Sequence, residues 1–376
     1  MIPVNEPLLA GREAEYVNDC LSSGWISSAG KYIEAFERNW AAYCGRRHGI
    51  AVSNGTTALQ AAVAALDLAP GDEVILPSFT IVSCALAIVE AKAVPVAVDC
   101  DPLTFCLDLD QVEAAITPKT RAIMAVHMYG HPADMDRLED LAQRHGLALI
   151  EDAAQGHGAQ YLSRRGQTPA WRRCGSFGTM STFSFFANKL ITTGEGGMVL
   201  TDDDALAEKL RAIRNLCFQP RRRFFHEQLG YNFRLTNMQA AIGVAQVERM
   251  DDILDRKIRM GTAYTQGLGH IDGIQLPVQM DWAKINYWMY TLVVDPSRGL
   301  DANQLADKLR AKGVETRPFF LGMHEQPVFH KMGLMRDVKL PVSERIARQG
   351  LYLPSGLALS EDQIQTVISA VNEVLA

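Results

Sequence analysis

The sequence predicts an α/β fold with a mainly parallel sheet covered by helices on both faces, followed by a smaller α+β domain. Between residues 51 and 200, short apolar runs alternate with helical patterns. These runs are apolar at successive positions, as expected for strands buried on both faces. After residue 250 the alternation gives way to longer helices with charged flanks. We therefore place a large domain, with an N-terminal arm, at 1–250 and a small C-terminal domain at 251–376.

The strands of the large domain follow one another in a regular series. "GIAVSN" and "EVILPS" are predicted as buried strands, and the alanine-rich "TTALQAAVAAL" between them as a helix. "PVAVDCD", "AIMAVHMYG" and "LALIEDAA" continue the series. Repeated β-α-β units give parallel strands, and ligands of such sheets bind beyond the carboxyl ends of the strands. Polar residues at strand ends are therefore the first candidates for a site.

The small domain is predicted from a second set of patterns. It begins with the helix "DDILDRKIRMGTAYTQGL", and "YWMYTLVVD" follows as a strand. "DANQLADKLRAKG" and the terminal "SEDQIQTVISAVNEVLA" are predicted as helices.

The composition excludes several classes of function. Of the 376 residues, 48% are hydrophobic and 21% charged, as in an ordinary folded protein. The net charge of −6 argues against a nucleic-acid partner, and the short basic run Arg221 to Phe225 is interpreted as a phosphate contact or a solvated loop. Without a signal-peptide pattern or a long apolar run, we expect a cytoplasmic protein with no membrane partner. The 7 cysteines lack CxxC spacing, so we expect reduced core thiols and no metal site.

A single lysine, Lys189, stands between the apolar "TFSFFAN" and the glycine-rich "LITTGEGG". Lysine is rarely buried without a partner, so by itself it reads as a cation reaching solvent from a strand end. The alternative is a desolvated amine that forms a Schiff base. The hydroxyl of Ser184 on the same segment can serve an anionic oxygen, and Gly194, Gly196 and Gly197 allow close approach of the backbone to a flat ligand.

Two other strand ends carry matching groups. In "SNGTTAL", Gly55 and Thr56 begin a helix after a strand, which makes either an ordinary helix cap or a phosphate site. In "LALIEDAAQGHGA", Asp152 ends a strand and is either a cap or the partner of a protonated ring nitrogen. Gln155 and His157 follow as further contacts or as structural hydrogen-bonding groups.

A phosphate anchor, an acid for a ring nitrogen and an amine are together the requirements of pyridoxal 5′-phosphate (PLP). The three signals occur in one chain at strand ends that share a sheet edge. A dinucleotide site is a poorer match, because "SNGTTA" lacks the G-x-G-x-x-G spacing that pyrophosphate approach needs. We therefore predict PLP, passing through pyridoxamine 5′-phosphate during the cycle.

A series of motifs, in the same order, resembles the DegT/DnrJ/EryC1/StrS group of PLP-dependent sugar aminotransferases over nearly the whole chain. The motifs are "SNGTTAL", "GDEVILPSFT", "IEDAAQGHGA", "TFSFFANKLITTGEGGMVLTDD" and "GYNFRLTNMQAAIG". The resemblance implies a fold-type I aminotransferase that uses L-glutamate as amino donor and a sugar nucleotide as acceptor. Within this group, four segments are most similar to those of enzymes that aminate C4 of GDP-4-keto-6-deoxymannose for O-antigen or other glycans. They are "WISSAGKYI", "VHMYGH", "YWMYT" and "ETRPFF".

UDP- or dTDP-linked 3-keto or 4-keto sugars are the alternative substrates. Sugar 3-dehydratases of this fold carry a histidine at the position of Lys189, and a non-catalytic PLP-binding regulator is the rival from another class.

The resemblance also implies roles for individual residues. Lys189 bonds the cofactor and Asp152 meets the pyridine nitrogen, so both are catalytic. Gln155 lies beside the ring hydroxyl, and Gly55, Thr56 and Ser184 hold the phosphate. Asn232 reaches that phosphate from the neighbouring subunit of a homodimer with shared active sites, unless it is a plain turn asparagine. Residues of the substrate cleft are expected to be Trp25, Trp288, Arg317 and His324.

Several points stay open in the sequence. Trp288 and the nearby Tyr290 are equally compatible with the core of the small domain. Ile81 stands where the group usually has an aromatic stacked on the cofactor ring, and Phe79 is the alternative cover. The segment from Leu162 to Cys174 is longer than usual, and its arginines face either a diphosphate or solvent; they are Arg164, Arg165, Arg172 and Arg173.

Overall fold

The computed structural model describes residues 1–218, 222 and 224–375, so Arg221 and Arg223 of the predicted basic run lie outside the described residues. The helices of the described part are α1 (Glu13–Ser23), α2 (Lys31–Cys44), α3 (Gly55–Ala65), α4 (Ser83–Glu90), α5 (Leu109–Ala114), α6 (Met135–His145), α7 (Asp204–Arg214), α8 (Asn237–Val247), α9 (Met250–Leu268), α10 (Ala302–Ala311), α11 (Pro327–Lys331), α12 (Pro341–Gln349) and α13 (Glu361–Leu375). The strands are β1 (His48–Val52), β2 (Glu73–Pro77), β3 (Val94–Val98), β4 (Thr120–Val126), β5 (Ala148–Asp152), β6 (Gln160–Ser163), β7 (Ala170–Arg173), β8 (Met180–Ser184), β9 (Gly197–Thr201), β10 (Ile274–Gln275), β11 (Ala283–Lys284), β12 (Tyr290–Val294), β13 (Arg317–Pro318) and β14 (Gly350–Leu353).

A seven-stranded sheet in the order β1-β9-β8-β5-β4-β2-β3 forms the centre of the molecule. Its strands run parallel except β9, which is antiparallel to both of its neighbours. Strands β8 and β9 are buried at every position, as expected for strands covered on both faces of the sheet. The predicted α/β class and the mainly parallel sheet are therefore confirmed.

The carboxyl ends of the parallel strands meet at one edge of this sheet, and local sequence fixes the helices that start there. Helix α3 begins directly after β1, and its N-cap Asn54 accepts a hydrogen bond from the Thr57 amide at 2.9 Å. Asn54 and Thr57 form a reciprocal capping box, so the helix start is rigid. The first turn of α3 is thereby held beside the ends of β1 and β8.

A second, four-stranded antiparallel sheet, in the order β10-β12-β14-β13, lies in the C-terminal part of the chain. Helices α9, α10 and α13 contribute buried side chains to a separate apolar cluster with this sheet, and Ile2 from the N-terminus joins them. Each predicted element of this region, namely the helices α9, α10 and α13 and the strand β12, is present. The boundary between residues 250 and 251 stays a prediction.

The long segment after β5 forms a β-hairpin. Strands β6 and β7 pair with each other, and β11 extends them to a three-stranded antiparallel sheet. Arg165 of this segment bonds to Asp140 at 2.8 Å, while Arg173 donates to the Tyr43 carbonyl at 3.1 Å. Arg172 stacks over the Phe177 ring at 4.0 Å. These three arginines thus have partners on the large domain, whereas Arg164 is exposed.

All seven cysteines are free and buried, as the scattered spacing predicts. In the described part of the chain, no helix has the length and apolar character required to cross a bilayer.

Candidate functional site

Lys189 lies in the turn between β8 and β9, at the edge where the parallel strands end. Its amide donates to the Phe186 carbonyl at 2.9 Å, which closes the turn. The side chain runs inward, and Nζ lies 3.8 Å from the centre of the Trp288 indole ring. Burial lowers the pKa of the Lys189 amine to about 8, although the nearby Asp152 carboxylate opposes that shift. A substantial neutral fraction near neutral pH suits a nucleophilic amine.

Asp152 ends β5 and is only 2% exposed. Its Oδ1 accepts a hydrogen bond from the Ala154 amide at 3.0 Å, and the Cys84 thiol donates to Oδ2 at 3.3 Å. Burial raises the pKa of this carboxyl, while the two donors and the charge of Lys189 favour its ionised form. A protonated ring nitrogen beside Asp152 would hold the carboxyl ionised.

The neighbouring Glu151 serves a structural purpose on the opposite face of β5, because successive strand residues point to opposite sides. Its carboxylate accepts hydrogen bonds from His127 at 2.7 Å, from the Gly175 amide at 2.6 Å and from the Phe177 amide at 2.9 Å. Each of these groups is buried, so Glu151 ties the linker before β8 to β4 and β5. The adjacent acids of "IED" therefore have different surroundings and different roles.

An anion cradle forms where α3 begins beside the end of β8. A Cβ added at Gly55 would lie 2.6 Å from the Cβ of Ser184, so no larger residue fits there without movement. Gly197 passes equally close to the backbone of Asn54 and Gly55. Thr56 shares a hydrogen bond of 2.9 Å with the hydroxyl of Ser83 at the start of α4. The free amides of the first turn of α3 and three hydroxyl groups thus converge, an arrangement that suits a phosphate.

Gln155 lies buried beyond Asp152. Its Oε1 accepts a hydrogen bond from the Tyr129 amide at 2.7 Å, which fixes the orientation of the side-chain amide. Within the described residues, the hydrogen-bond partner of its Nε2 is the sulfur of Met128, at 3.9 Å. The amide therefore retains donor capacity that the phenolic oxygen of a ring ligand can use.

His157, whose role the sequence left open, is buried beside three aromatic side chains. Its ring packs against Trp40, Phe183 and Phe185 at centroid distances of 5.5, 5.3 and 5.5 Å. Burial lowers its pKa to about 3, so the ring is neutral at physiological pH. Within the described residues neither ring nitrogen has a hydrogen-bond partner, so both roles considered for His157 stay predictions.

These groups fit PLP as a set. The amine of Lys189 and the carboxyl of Asp152 are close enough for each to affect the pKa of the other. The cradle formed by Gly55, Ser184 and Gly197 leaves no room for extra side-chain atoms, and Gln155 has unused donor capacity. The structure therefore brings together the predicted cofactor residues that one subunit contributes. Their individual roles stay predictions.

The four predicted substrate residues have different environments. Trp288 is buried against Tyr129, at a ring-centroid distance of 6.1 Å, and faces Lys189. His324 is also buried, and its ring bonds Ser78 at 2.6 Å and Glu344 at 3.3 Å. Trp25 is 58% exposed, and Arg317 is exposed 3.9 Å from Glu315. Trp288 therefore contacts Lys189, and its predicted substrate role stays a prediction, whereas Tyr290 packs in the core of the second sheet.

The two residues considered as covers for a cofactor ring differ in exposure. Ile81, two positions before Ser83, is 41% exposed. Phe79 is fully buried in a cluster with Phe105 and Phe319, at ring-centroid distances of 6.2 and 5.5 Å. Which of them covers the ring stays a prediction. Asn232 is exposed and bridges to the backbone of Asn215.

Sequence reasoning missed three residues of this site. Cys84 was treated as one of several core thiols, and its contact with Asp152 spans 68 positions. Lys257 is a buried lysine on an otherwise amphipathic helix, and its position within an apolar stripe was the available signal. Tyr129 adopts φ 50° next to Gly130, which places strain at the site.

Comparison with known proteins agrees with this geometry. The model of the DegT/DnrJ/EryC1/StrS aminotransferase family matches residues 7–372. The chain is 44% identical to a GDP-perosamine synthase of Caulobacter vibrioides, over 100% of this chain and 98% of the relative. It is 39% identical to a GDP-perosamine synthase of Escherichia coli, over 99% of this chain and 98% of the relative. The crystal structure of S. venezuelae DesV superposes with a TM-score of 0.88 at 37% identity, covering 96% of this chain and 94% of that one.

Proposed function

The chain belongs to the DegT/DnrJ/EryC1/StrS aminotransferase family, and we propose that it transfers the amino group of L-glutamate to a nucleotide-linked keto-deoxysugar, with PLP as cofactor. The substrate we assign is GDP-4-keto-6-deoxymannose, which gives GDP-perosamine for O-antigen or other glycan synthesis. The observation that carries the proposal is the end-to-end similarity to two GDP-perosamine synthases, in a chain whose site contains a lysine fit for PLP. The regulator alternative is disfavoured because Lys189, Asp152 and the anion cradle are all present in one site.

PLP, when bound, supplies a carbonyl carbon that condenses with amines and a ring that accepts electrons. Lys189 would hold that carbonyl carbon through Nζ and, when the amine of glutamate takes its place, would accept and return a proton at Nζ. Its pKa of about 8 suits both tasks, because the amine is a base of moderate strength near physiological pH. The amino sugar is then formed by the same steps in reverse order, so we expect ping-pong kinetics.

Asp152 and the cradle hold the cofactor in register with this amine. The carboxylate of Asp152 keeps a proton on the ring nitrogen, since a buried acid stabilises an opposite charge at short range. The amides at the start of α3, with the hydroxyls of Thr56 and Ser184, bind the phosphate. Gln155 donates to the ring hydroxyl.

The complete site includes a second copy of the chain. Several apolar side chains near the predicted cofactor residues in the sequence are exposed, as expected for a surface that another subunit covers. Ile81 and Val82 precede Ser83, Phe186 follows Ser184, and Tyr231 precedes Asn232. Asn232, next to Tyr231, then reaches the phosphate of the partner's cofactor. A homodimer with shared sites is therefore part of the proposal.

The test is an amination assay with purified protein, PLP and L-glutamate. GDP-4-keto-6-deoxymannose is compared with UDP- and dTDP-linked 3-keto and 4-keto sugars, and both 2-oxoglutarate and the amino sugar are measured by mass spectrometry. We expect product with the GDP sugar, and none from the Lys189→Ala control. Product from a UDP or dTDP sugar alone would overturn the substrate assignment. Bound PLP without amination of any keto sugar would favour the regulator.

A further inference from the structure

Lys257, on α9, is a second buried lysine next to the site. It is 2% exposed, and its Nζ donates to the carbonyl oxygens of Trp288, at 2.9 Å, and of Ser355. Within the described residues no carboxylate lies at salt-bridge distance from it. Burial lowers the pKa of this amine to about 7. Such a group is costly to bury, so its position calls for a functional explanation.

The carbonyl that Lys257 binds belongs to the residue beneath the catalytic amine. Trp288 is fixed at three atoms: its carbonyl by Lys257, its amide by Oδ1 of Asn286 at 2.7 Å, and its indole N–H by the carbonyl of Asn188 at 2.8 Å. Asn188 directly precedes Lys189. The indole N–H therefore fixes the backbone of the turn that carries Lys189. The face of the same ring contacts the Lys189 amine, whose Nζ lies 3.8 Å from the ring centre.

The two lysines also line the same cavity. Lys189 and Lys257 line one small cavity of about 10 Å³, together with Asn188, Trp288 and Ser355. Ser355 follows β14, and Trp288 precedes β12, so Lys257 joins the ends of two neighbouring strands of the second sheet. A change at Lys257 is thus transmitted to Lys189 by a short, buried path.

We propose that Lys257 is a positioning residue, which holds the Trp288 indole as the platform on which the Lys189 amine rests whenever it is not joined to the cofactor. An amine over an indole face is attracted to that face, so the platform holds the Lys189 amine in one place. The inference rests on the proposed use of Lys189 as the PLP-binding amine. It adds a contribution of helix α9 to the placement of the Lys189 amine.

The experiment measures the rate constant at which PLP joins Lys189 in apo-protein, followed by the absorbance of the lysine-bound cofactor. The variants are Lys257→Met, Trp288→Phe and the double substitution. Because Lys257 acts through Trp288, we expect each single change to slow the reaction by about tenfold and the double change to be no slower than Trp288→Phe alone. Lys257→Arg, which keeps donors for the carbonyls, should recover most of the rate.

The matched control is Lys284→Met, which removes a surface lysine lying 4.3 Å over the Trp171 ring. It should leave the rate constant unchanged. A wild-type rate in Lys257→Met, or effects that multiply in the double variant, would overturn the positioning role. If Lys257→Met does not fold, Lys257→Gln takes its place in the cycle. Failure of wild-type protein to bond PLP at all would instead refute the proposed function.

Discussion

The thiol of Cys84, in the first turn of α4, donates a hydrogen bond to Oδ2 of Asp152 at 3.3 Å. Both groups are buried, and burial raises the pKa of the carboxyl while the thiol opposes that rise. The other carboxylate oxygen takes the Ala154 amide at 3.0 Å. The carboxylate predicted to face the ring nitrogen is therefore oriented by one backbone and one side-chain donor.

Replacing Cys84 by Ala should raise the pKa of Asp152, because a donor to the ionised form is lost. Asp152 then protonates at a higher pH, so PLP affinity should decline earlier as the solution is acidified. Near neutral pH we expect affinity to fall by about threefold, since a single weak donor is removed. The measurement is the PLP dissociation constant of apo-protein across pH 5–9, an interval that we choose to span the acid limb.

Two variants separate the hydrogen bond from the lost volume. Cys84→Ser keeps a donor and should retain the wild-type pH profile, whereas Cys44→Ala removes a buried thiol elsewhere in the core. An unchanged acid limb in Cys84→Ala would show that the thiol merely fills space.

The depressed pKa of Lys189 predicts the pH dependence of cofactor attachment. Only the neutral amine attacks the PLP carbonyl, so the rate of attachment should rise with pH and level off above about 8. An amine with its ordinary pKa of 10.5 would give a rate that still increases near pH 10. Stopped-flow absorbance of apo-protein mixed with PLP measures the profile. Lys189→Ala should give no lysine-bound cofactor after borohydride reduction, while Lys209→Ala, which removes a lysine paired with Asp67, should behave as wild type.

Exchange of Asp152 for Asn tests the ring-nitrogen partner with little change of shape. The amide cannot hold a proton on the ring by charge, so turnover should fall by about a hundredfold or more. Bound PLP should persist in part, because the cradle is intact. Steady-state kinetics and the absorbance of bound cofactor check the two expectations, and near-normal turnover would remove Asp152 from this role.

Gly55→Ala probes the anion cradle. The new Cβ would meet the Cβ of Ser184 at 2.6 Å, so either the first turn of α3 or the end of β8 must move. Overpacking of this kind costs about 1–3 kcal/mol, and we expect PLP affinity to fall by roughly tenfold or more. Gly166→Ala is a matched control, since its nearest neighbour lies at 3.5 Å. Equal affinities in the two variants would contradict a phosphate site at Gly55.

Stability should depend on pH through Lys257. Its pKa is about 7 in the folded protein and near 10.5 when unfolded, so between these values the unfolded chain binds more protons. The free energy of unfolding contributed by this group therefore increases as the pH rises through that interval. Urea unfolding of wild type and Lys257→Met at several pH values tests the sign: the variant should lack this increase. An identical slope in both proteins would show that Lys257 has an ordinary pKa.

The sequence by itself determined the fold class and the set of residues predicted to bind the cofactor. Strands buried on both faces give continuous apolar runs, and each of "SNGTT", "IEDAAQ" and the Lys189 turn carries its chemistry in a short local pattern. Parallel connectivity then places their ends at one edge, so the convergence of Gly55, Asp152 and Lys189 followed from order along the chain.

Only the tertiary structure decided which side chains support this set. The contact of Cys84 with Asp152 spans 68 positions, that of Lys257 with Trp288 spans 31, and that of Trp288 with Asn188 spans 100. The packing of Phe79, a possible cover for the ring in the sequence, against Phe105 and Phe319 was likewise not predictable. Such contacts depend on how helices and sheets pack in three dimensions. The periodicity of residues along a single element does not predict that packing.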